Sequence, residues 1–140
     1  MSKVFLDTNV FVYMFEGAEP FRSRALEIRK RMIDRGDRIV TSAMTLGEVL
    51  VKPTKLGAAS LIEQYDRAIR DTAHVVSFDP QVAWRYASLR ATHTLRNADA
   101  IQLACASHFG VDLFITNDKE LHKLNVPGIG FIAPLEKVPL

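Results

Sequence analysis

The chain has little of what stabilises secreted or membrane proteins. Its 140 residues include one cysteine, Cys105, so an internal disulfide is excluded. The longest uninterrupted apolar run, residues 10–15, is six residues long, far short of the roughly 20 that span a bilayer. The first residues lack the basic stretch and apolar segment of a secretory signal. Length and composition therefore predict one cytoplasmic domain over residues 1–140.

Histidine is also sparse, and the four histidines are scattered. They are His74, His93, His108 and His122. Zinc sites need closely spaced His and Cys ligands, so the sequence indicates no such site. The net charge is only +2, from 18 Lys and Arg against 16 Asp and Glu. If four acids were drawn into one metal site, 18 positive and 12 negative charges would remain, which suits a polyanionic partner.

Short apolar segments alternate with amphipathic ones along the chain. Strands are predicted over residues 4–6, 38–42, 74–78 and 111–116, with a last edge strand over 130–133. Helices are predicted over residues 10–15, 44–52, 58–71, 80–92, 98–109 and 119–124, and a further one carries the stripe Phe21, Ala25, Ile28 and Met32. This alternation predicts an α/β fold, a three-layer α/β/α domain with a mostly parallel central sheet of four or five strands.

Asp7 interrupts the first apolar segment directly after the predicted strand. In an open α/β sheet, ligands bind in the crevice beyond the carboxyl ends of the strands. An unpaired carboxylate is costly to bury, so Asp7 needs protein donors, a metal ion or water. A second interpretation is equally good at this point: Asp7 caps the following helix, as Asp and Asn commonly do in turns.

Three further acids occupy comparable positions. Glu48 lies in the helix after the second strand, Asp99 in the first turn of the helix before the fourth strand, and Asp118 just beyond that strand. Each has a purely structural explanation. Thr45 and Glu48 fit a capping box, Asn97 would cap the helix containing Asp99, and Asp99 and Asp118 suit helix starts. Together, however, the four acids would repel one another at one edge of the sheet unless a cation neutralised them.

The type of ligand narrows the metal. Oxygen donors without clustered Cys or His suit Mg²⁺, for which Mn²⁺ can substitute. A Mg²⁺ ion held by carboxylates can activate a water molecule and stabilise the charge that develops on a phosphate group. The pattern therefore points to hydrolysis of phosphodiester bonds.

Four segments carry a specific resemblance to a known family. In chain order they are Phe5-Leu-Asp-Thr-Asn-Val, Thr41-Ser-Ala-Met-Thr-Leu-Gly-Glu-Val-Leu, Asn97-Ala-Asp-Ala-Ile-Gln-Leu-Ala-Cys-Ala and Ile115-Thr-Asn-Asp. They resemble PIN-domain ribonucleases, in particular the VapC-type toxins of bacterial and archaeal toxin–antitoxin pairs. The resemblance implies a PIN-like fold and a Mg²⁺-dependent endoribonuclease that cuts structured RNA such as tRNA or rRNA. It also implies an antitoxin partner and a homodimer.

The resemblance also assigns roles to individual residues. The metal ligands it implies are Asp7, Glu48, Asp99 and Asp118. Thr116 matches a hydroxyl residue that positions a water or the last acid, and so belongs with these acids to the implied catalytic set. Asn9 and Ser42 match residues that support the pocket. Arg96, close to Asp99 in sequence, would bind RNA phosphates or be a surface charge.

The chain departs from the family pattern at one place. Many relatives have a further acid or an aromatic residue shortly after Thr-Asn-Asp, whereas this chain continues Lys119-Glu-Leu-His. Glu120 would then be an outer metal ligand or a solvated surface residue, and the number of metal ions stays open.

Other functions are compatible with parts of the pattern. A phosphatase of the haloacid dehalogenase type also begins with Asp after an apolar strand, but it needs a second Asp where this chain has Asn9. A non-catalytic module of the same fold could bind RNA or a partner protein. A DNA-directed nuclease would use the same metal chemistry. No feature of the sequence identifies a residue that would contact the 2′-hydroxyl, the group by which a protein distinguishes RNA from DNA.

Overall fold

The protein is described by a computed structural model that covers residues 1–139; Leu140, the last residue of the predicted domain, lies outside the described residues. Five strands form one sheet: β1 (Lys3–Leu6), β2 (Arg38–Ser42), β3 (His74–Val76), β4 (Val111–Ile115) and β5 (Ile129–Ala133). The helices are α1 (Thr8–Glu16), α2 (Phe21–Arg35), α3 (Ala43–Lys55), α4 (Ala59–Thr72), α5 (Pro80–Thr92) and α6 (Asn97–Phe109). No helix within residues 1–139 is long and apolar enough to cross a membrane.

The sheet is parallel throughout, with strand order β3-β2-β1-β4-β5. Side chains of β1 alternate between its two faces, as the two-residue period of a strand requires. Val4 and Leu6 pack in the core beneath α1–α4, whereas Phe5 packs in the core beneath α5 and α6. Burial on both faces explains why β1 is continuously apolar after its exposed first residue, Lys3. The predicted three-layer α/β/α architecture is confirmed.

β1 and β4 lie side by side at the centre of the sheet, where the strand order reverses. Leu6 pairs with Ile115 in register, and the backbone N–H of Asp7 donates to the Ile115 carbonyl at 3.1 Å. Asp7 and Thr116 therefore leave the two strands next to each other. This reversal point is where open α/β sheets have a crevice for ligands.

The start and end of α3 differ from the sequence prediction. The helix begins at Ala43, and Ser42 caps it by accepting a hydrogen bond from the Met44 N–H at 3.1 Å. Thr45 is already inside the helix, so the predicted capping box between Thr45 and Glu48 is wrong. The helix also continues through Pro53, because a proline in the last turn removes a single intrahelical bond.

Two other local predictions need correction. Asn97 is the first residue of α6 and not its cap, because its side-chain oxygen accepts hydrogen bonds from Tyr86 and Arg90 of α5. The predicted helix over residues 119–124 is a single 3₁₀ turn, Lys119–Leu121. Asp118 does cap this turn, since its Oδ1 accepts from the Glu120 N–H at 3.1 Å.

Candidate active site

Asp7 is buried at the carboxyl end of β1, and both of its oxygens accept hydrogen bonds. Oδ1 accepts from the Thr8 N–H at 2.8 Å and from Gln102 Nε2 at 3.1 Å, and Oδ2 accepts from Thr116 Oγ1 at 2.7 Å. Burial raises the pKa of Asp7 and the charge of Asp99 adds to the rise, while these hydrogen bonds oppose it. Asp7 therefore caps α1, as one interpretation of the sequence predicted, and it also lines a pocket.

The structure brings all four predicted acids to one pocket of about 450 Å³, which we call the acidic pocket. Its walls come from the loop after β1, the middle of α3, the start of α6 and the loop after β4. The residues around it are Asp7, Thr8, Asn9, Val12, Tyr13, Glu48, Arg96, Ala98, Asp99, Gln102, Asn117 and Asp118. Glu120 does not line the acidic pocket, in keeping with its exposed position on the 3₁₀ turn.

Glu48 is the exposed member of the four acids and is tied to the others through Thr8. Its Oε1 accepts a hydrogen bond from Thr8 Oγ1 at 2.7 Å. Thr8 Oγ1 also accepts a hydrogen bond from Gln102 Nε2 at 3.1 Å. The position of Glu48 is therefore coupled to the residues around Asp7, although α3 is far from β1 in sequence.

Thr116 of the predicted catalytic set and Asn9, a predicted supporting residue, connect Asp7 with Asp118. The fully buried Thr116 hydroxyl donates to Asp7 and accepts from Asn9 Nδ2 and from the Asp118 N–H, each at 3.1 Å. Asn9 also accepts from the Asn117 N–H at 3.3 Å. One hydroxyl group thus fixes the spacing of the first and last acids.

Gln102 is a site residue that the sequence analysis missed. It is 1% exposed, and its Nε2 donates to Asp7 and to Thr45 Oγ1, the latter at 2.7 Å. Its Oε1 accepts from Ser42, which therefore supports the site from below and does not line the pocket. Gln102 follows Asp99 by three residues, which places it on the same helix face. A polar residue at that spacing in an alanine-rich helix was the signal that could have identified it.

Arg96 bridges two of the acids. Its Nε lies 2.9 Å from Asp99 Oδ2, and its second guanidinium nitrogen lies 2.9 Å from Asp118 Oδ2. The arginine side chain is 76% exposed, whereas those of Asp99 and Asp118 are 13% and 19% exposed. Burial raises the pKa of Asp99 and the nearby charge of Asp118 contributes, while Arg96 opposes the rise. Arg96 is the counter-ion that partly neutralises this crowded carboxylate pair.

The oxygen donors of the acidic pocket fit a hard divalent cation, although their side chains do not have the spacing of bound metal ligands. Within residues 1–139, no three His, Cys, Asp or Glu side chains have the arrangement of metal ligands. Asp7, Asp99, Asp118 and Glu48 are all-oxygen donors of the kind that Mg²⁺ and Mn²⁺ take. The pocket also has room for the water molecules that Mg²⁺ retains. A cation shared by Asp99 and Asp118 would compete with Arg96.

The raised pKa of Asp7 predicts a pH-dependent contribution to stability when divalent cations are absent. A folded-state pKa above the ordinary value of 3.8 gives a contribution that is complete below pH 3.8 and is lost as the pH rises through the folded value. We therefore expect the stability of the wild type, relative to Asp7→Asn, to increase as the pH falls from 7 towards 4. Urea unfolding of both proteins in EDTA measures this difference, and a difference that is constant with pH would contradict the assignment.

Comparison with known proteins gives the family. The family model described as PIN domain matches residues 4–127, which include all four acids. Ribonuclease VapC23 from Mycobacterium tuberculosis is 29% identical over 119 residues, which cover 84% of this chain and 94% of that protein.

Solved structures agree with this match. A toxin–antitoxin complex from Klebsiella pneumoniae contains a chain with a TM-score of 0.64 and 27% identity, covering 90% of this chain and 94% of its own. VapBC2 from Rickettsia felis, bound to a promoter DNA fragment, has a TM-score of 0.69 at 15% identity, covering 94% and 98%, and shows the fold alone. With the family model matching most of its length, this chain belongs to the PIN-domain family.

Proposed function

We propose that this protein is a Mg²⁺-dependent endoribonuclease, with Mn²⁺ as a substitute, and the toxin of a toxin–antitoxin pair. Its substrate would be structured RNA, tRNA or rRNA, in which it hydrolyses phosphodiester bonds. The observation that carries the proposal is the convergence of four acids in one pocket at the centre of a PIN-domain sheet. Ribonuclease activity is further supported by the similarity to Ribonuclease VapC23.

The proposed roles rest on the oxygen donors that line the acidic pocket and on the hydrogen bonds among them. Asp7, Asp99, Asp118 and Glu48 would hold the metal. When bound, the ion would lower the pKa of a water molecule and stabilise the negative charge on the phosphate. Thr116 and Gln102 are positioning residues, because they fix the Asp7 carboxylate by hydrogen bonds. Arg96, which lines the pocket and is exposed, would bind an RNA phosphate once a cation replaced it beside Asp99 and Asp118.

The proposal includes an antitoxin, a homodimer and a cytoplasmic location. Similarity to chains from solved toxin–antitoxin complexes supports the antitoxin. The homodimer rests on the family resemblance, and light scattering of the purified chain at high concentration would test it. A monomer at high concentration would count against it.

A second candidate is a non-catalytic PIN module that binds RNA or a partner protein. One observation favours it. Arg96 pairs with both Asp99 and Asp118, so these two carboxylates can lie side by side without a metal ion between them. A nuclease directed at DNA is the other alternative, because the same donor set serves either backbone.

Cleavage of total tRNA and rRNA by the purified protein tests the proposal. We expect cuts at a few positions with Mg²⁺ or Mn²⁺, none in EDTA, and at least about 100-fold slower cutting by Asp99→Asn. Changing a residue that only orients a metal ligand typically costs 10- to 100-fold in metal affinity or activity, so loss of a direct ligand should cost at least as much. A DNA oligonucleotide in the same assay tests the DNA alternative.

Each alternative has its own outcome. No cleavage by folded, inhibitor-free protein under any condition would favour the binding module. Cleavage of DNA but not RNA would favour the DNA-directed nuclease. Equal cleavage by Asp99→Asn would show that the activity does not come from the acidic pocket.

A further inference from the structure

A second cavity, of about 840 Å³, adjoins the acidic pocket, and Tyr13 and Asn117 line both. It runs between the start of α2, the 3₁₀ turn after β4 and the C-terminal segment. We call it the basic groove and define it by Tyr13, Phe21, Asn117, Lys119, Lys123 and Lys137. A ligand that occupied both cavities would cross Tyr13 and Asn117, whose side chains are joined by a 3.4 Å hydrogen bond from Asn117 Nδ2 to the Tyr13 hydroxyl.

The lysines of the basic groove are available to an anionic ligand. Lys119, Lys123 and Lys137 are exposed and, within residues 1–139, form no salt bridge. Elsewhere two lysines are paired, Lys30 with Asp34 at 2.9 Å and Lys52 with Glu16 at 3.8 Å. One acid, Glu136, also lines the groove, but the three lysines outnumber it, so the groove concentrates positive charge in a chain whose net charge is only +2.

Phe21 gives the basic groove a flat aromatic surface. Its predicted stripe partners Ala25, Ile28 and Met32 are buried, but Phe21 itself is 45% exposed. Its ring stacks on Tyr13 with centroids 5.0 Å apart and planes 20° apart. Grooves that combine cations with exposed aromatic rings are typical binding sites for single-stranded nucleic acid, in which phosphates meet the cations and bases stack on the rings.

We propose that the basic groove binds a single-stranded segment of the RNA substrate and leads it to the acidic pocket, an inference that rests on the proposed function. Lys119 and Lys123 contact phosphates, and a base stacks on Phe21. An acidic peptide would match the lysines equally well. It would not need the stacked aromatic pair or a position beside the acidic pocket, so RNA is the better match.

Binding of a fluorescent 12-nucleotide single-stranded RNA, measured by anisotropy in EDTA so that no cleavage occurs, tests the groove. We expect the double variant K119Q/K123Q to bind about 10-fold more weakly at 100 mM salt. The slope of log K against log salt should fall in magnitude by about 1.4, since each phosphate contact on a single strand contributes roughly 0.7. The matched control K30Q/K55Q loses the same charge outside the groove and should bind like the wild type.

A stacking variant separates the aromatic contribution from the ionic one. We expect Phe21→Ala to weaken binding about 10-fold, within the range found for base stacking, without a change in the salt slope. Because Phe21 is exposed, we expect Phe21→Ala to fold like the wild type, and circular dichroism checks this.

The outcomes distinguish the groove from the proposed function. If the wild type binds and cleaves RNA but both groove variants bind with unchanged affinity and slope, the groove assignment is wrong and the proposed function stands. If K119Q/K123Q weakens binding of an acidic peptide but not of RNA, the groove belongs to a protein partner. If the wild type neither binds nor cleaves RNA, both proposals fail.

Discussion

Replacing Asp7 by asparagine is expected to slow RNA cleavage by at least about 100-fold while the fold is retained. Asparagine keeps the size of the side chain but removes the anionic oxygen that the proposed metal ion needs. Its amide nitrogen would also face Thr116, whose hydroxyl already accepts from Asn9 and from the Asp118 N–H. The substitution therefore affects both the charge of the pocket and the spacing of its first and last acids.

Single-turnover cleavage rates, measured beside circular dichroism spectra, provide the measurement for Asp7→Asn. The matched control is Asp34→Asn, which removes an exposed acid that pairs with Lys30 far from the acidic pocket. We expect the control to cut RNA at the wild-type rate. Full activity in Asp7→Asn, with cleavage still sensitive to EDTA, would remove Asp7 from the proposed set of metal ligands.

The second large effect concerns stability. We expect Phe114→Ala to lower the free energy of unfolding by about 3–5 kcal/mol, the usual cost of emptying a buried aromatic site. Phe114 of β4 is fully buried and stacks on Phe5 of β1, with ring centroids 4.9 Å apart. The two residues are register partners, so the cavity would open directly between the two central strands. A loss of this size is a large fraction of the roughly 5–15 kcal/mol typical of a domain.

Urea unfolding at pH 7 measures this effect, and Phe131→Ala is the matched control. Phe131 lies on β5 of the same sheet but is 51% exposed. Removing it should cost less than about 1 kcal/mol, because surface substitutions usually change stability little. Equal losses in the two variants would show that the stacked pair between β1 and β4 is not a main source of stability.

Most of the architecture could be predicted from the sequence, because each helix and strand has its own characteristic pattern of apolar residues. The strands are short, apolar and rich in β-branched or aromatic residues, and helical stripes separate them. Boundaries were less predictable where a side chain has a distant partner. Asn97 would be a good helix cap by its sequence position, but Tyr86 and Arg90 from α5 take up its oxygen. Arg96 takes the cap position in the backbone instead.

The same distinction applies to the site. Convergence of the four acids was predictable because the carboxyl ends of parallel strands meet at one edge of the sheet. The Gln102 network was not, since Gln102 joins Ser42 and Asp7, residues 60 and 95 positions away. Nor could the sequence reveal that Arg96 also pairs with Asp118, 22 positions away. The roles of these residues in metal binding and catalysis stay predictions until the variants are measured.

The central position of β4 has a consequence for the order of events during synthesis. The acids of the pocket come from positions 7, 48, 99 and 118, and β1 pairs with β4 through residues such as Val4 and Leu113. A growing chain thus carries β1 for most of its synthesis without the neighbour that completes the centre of the sheet. Contacts this distant in sequence also form slowly. If the protein is the ribonuclease proposed above, the ribosome that makes it is exposed to an active enzyme only after nearly the whole chain has been made and folded.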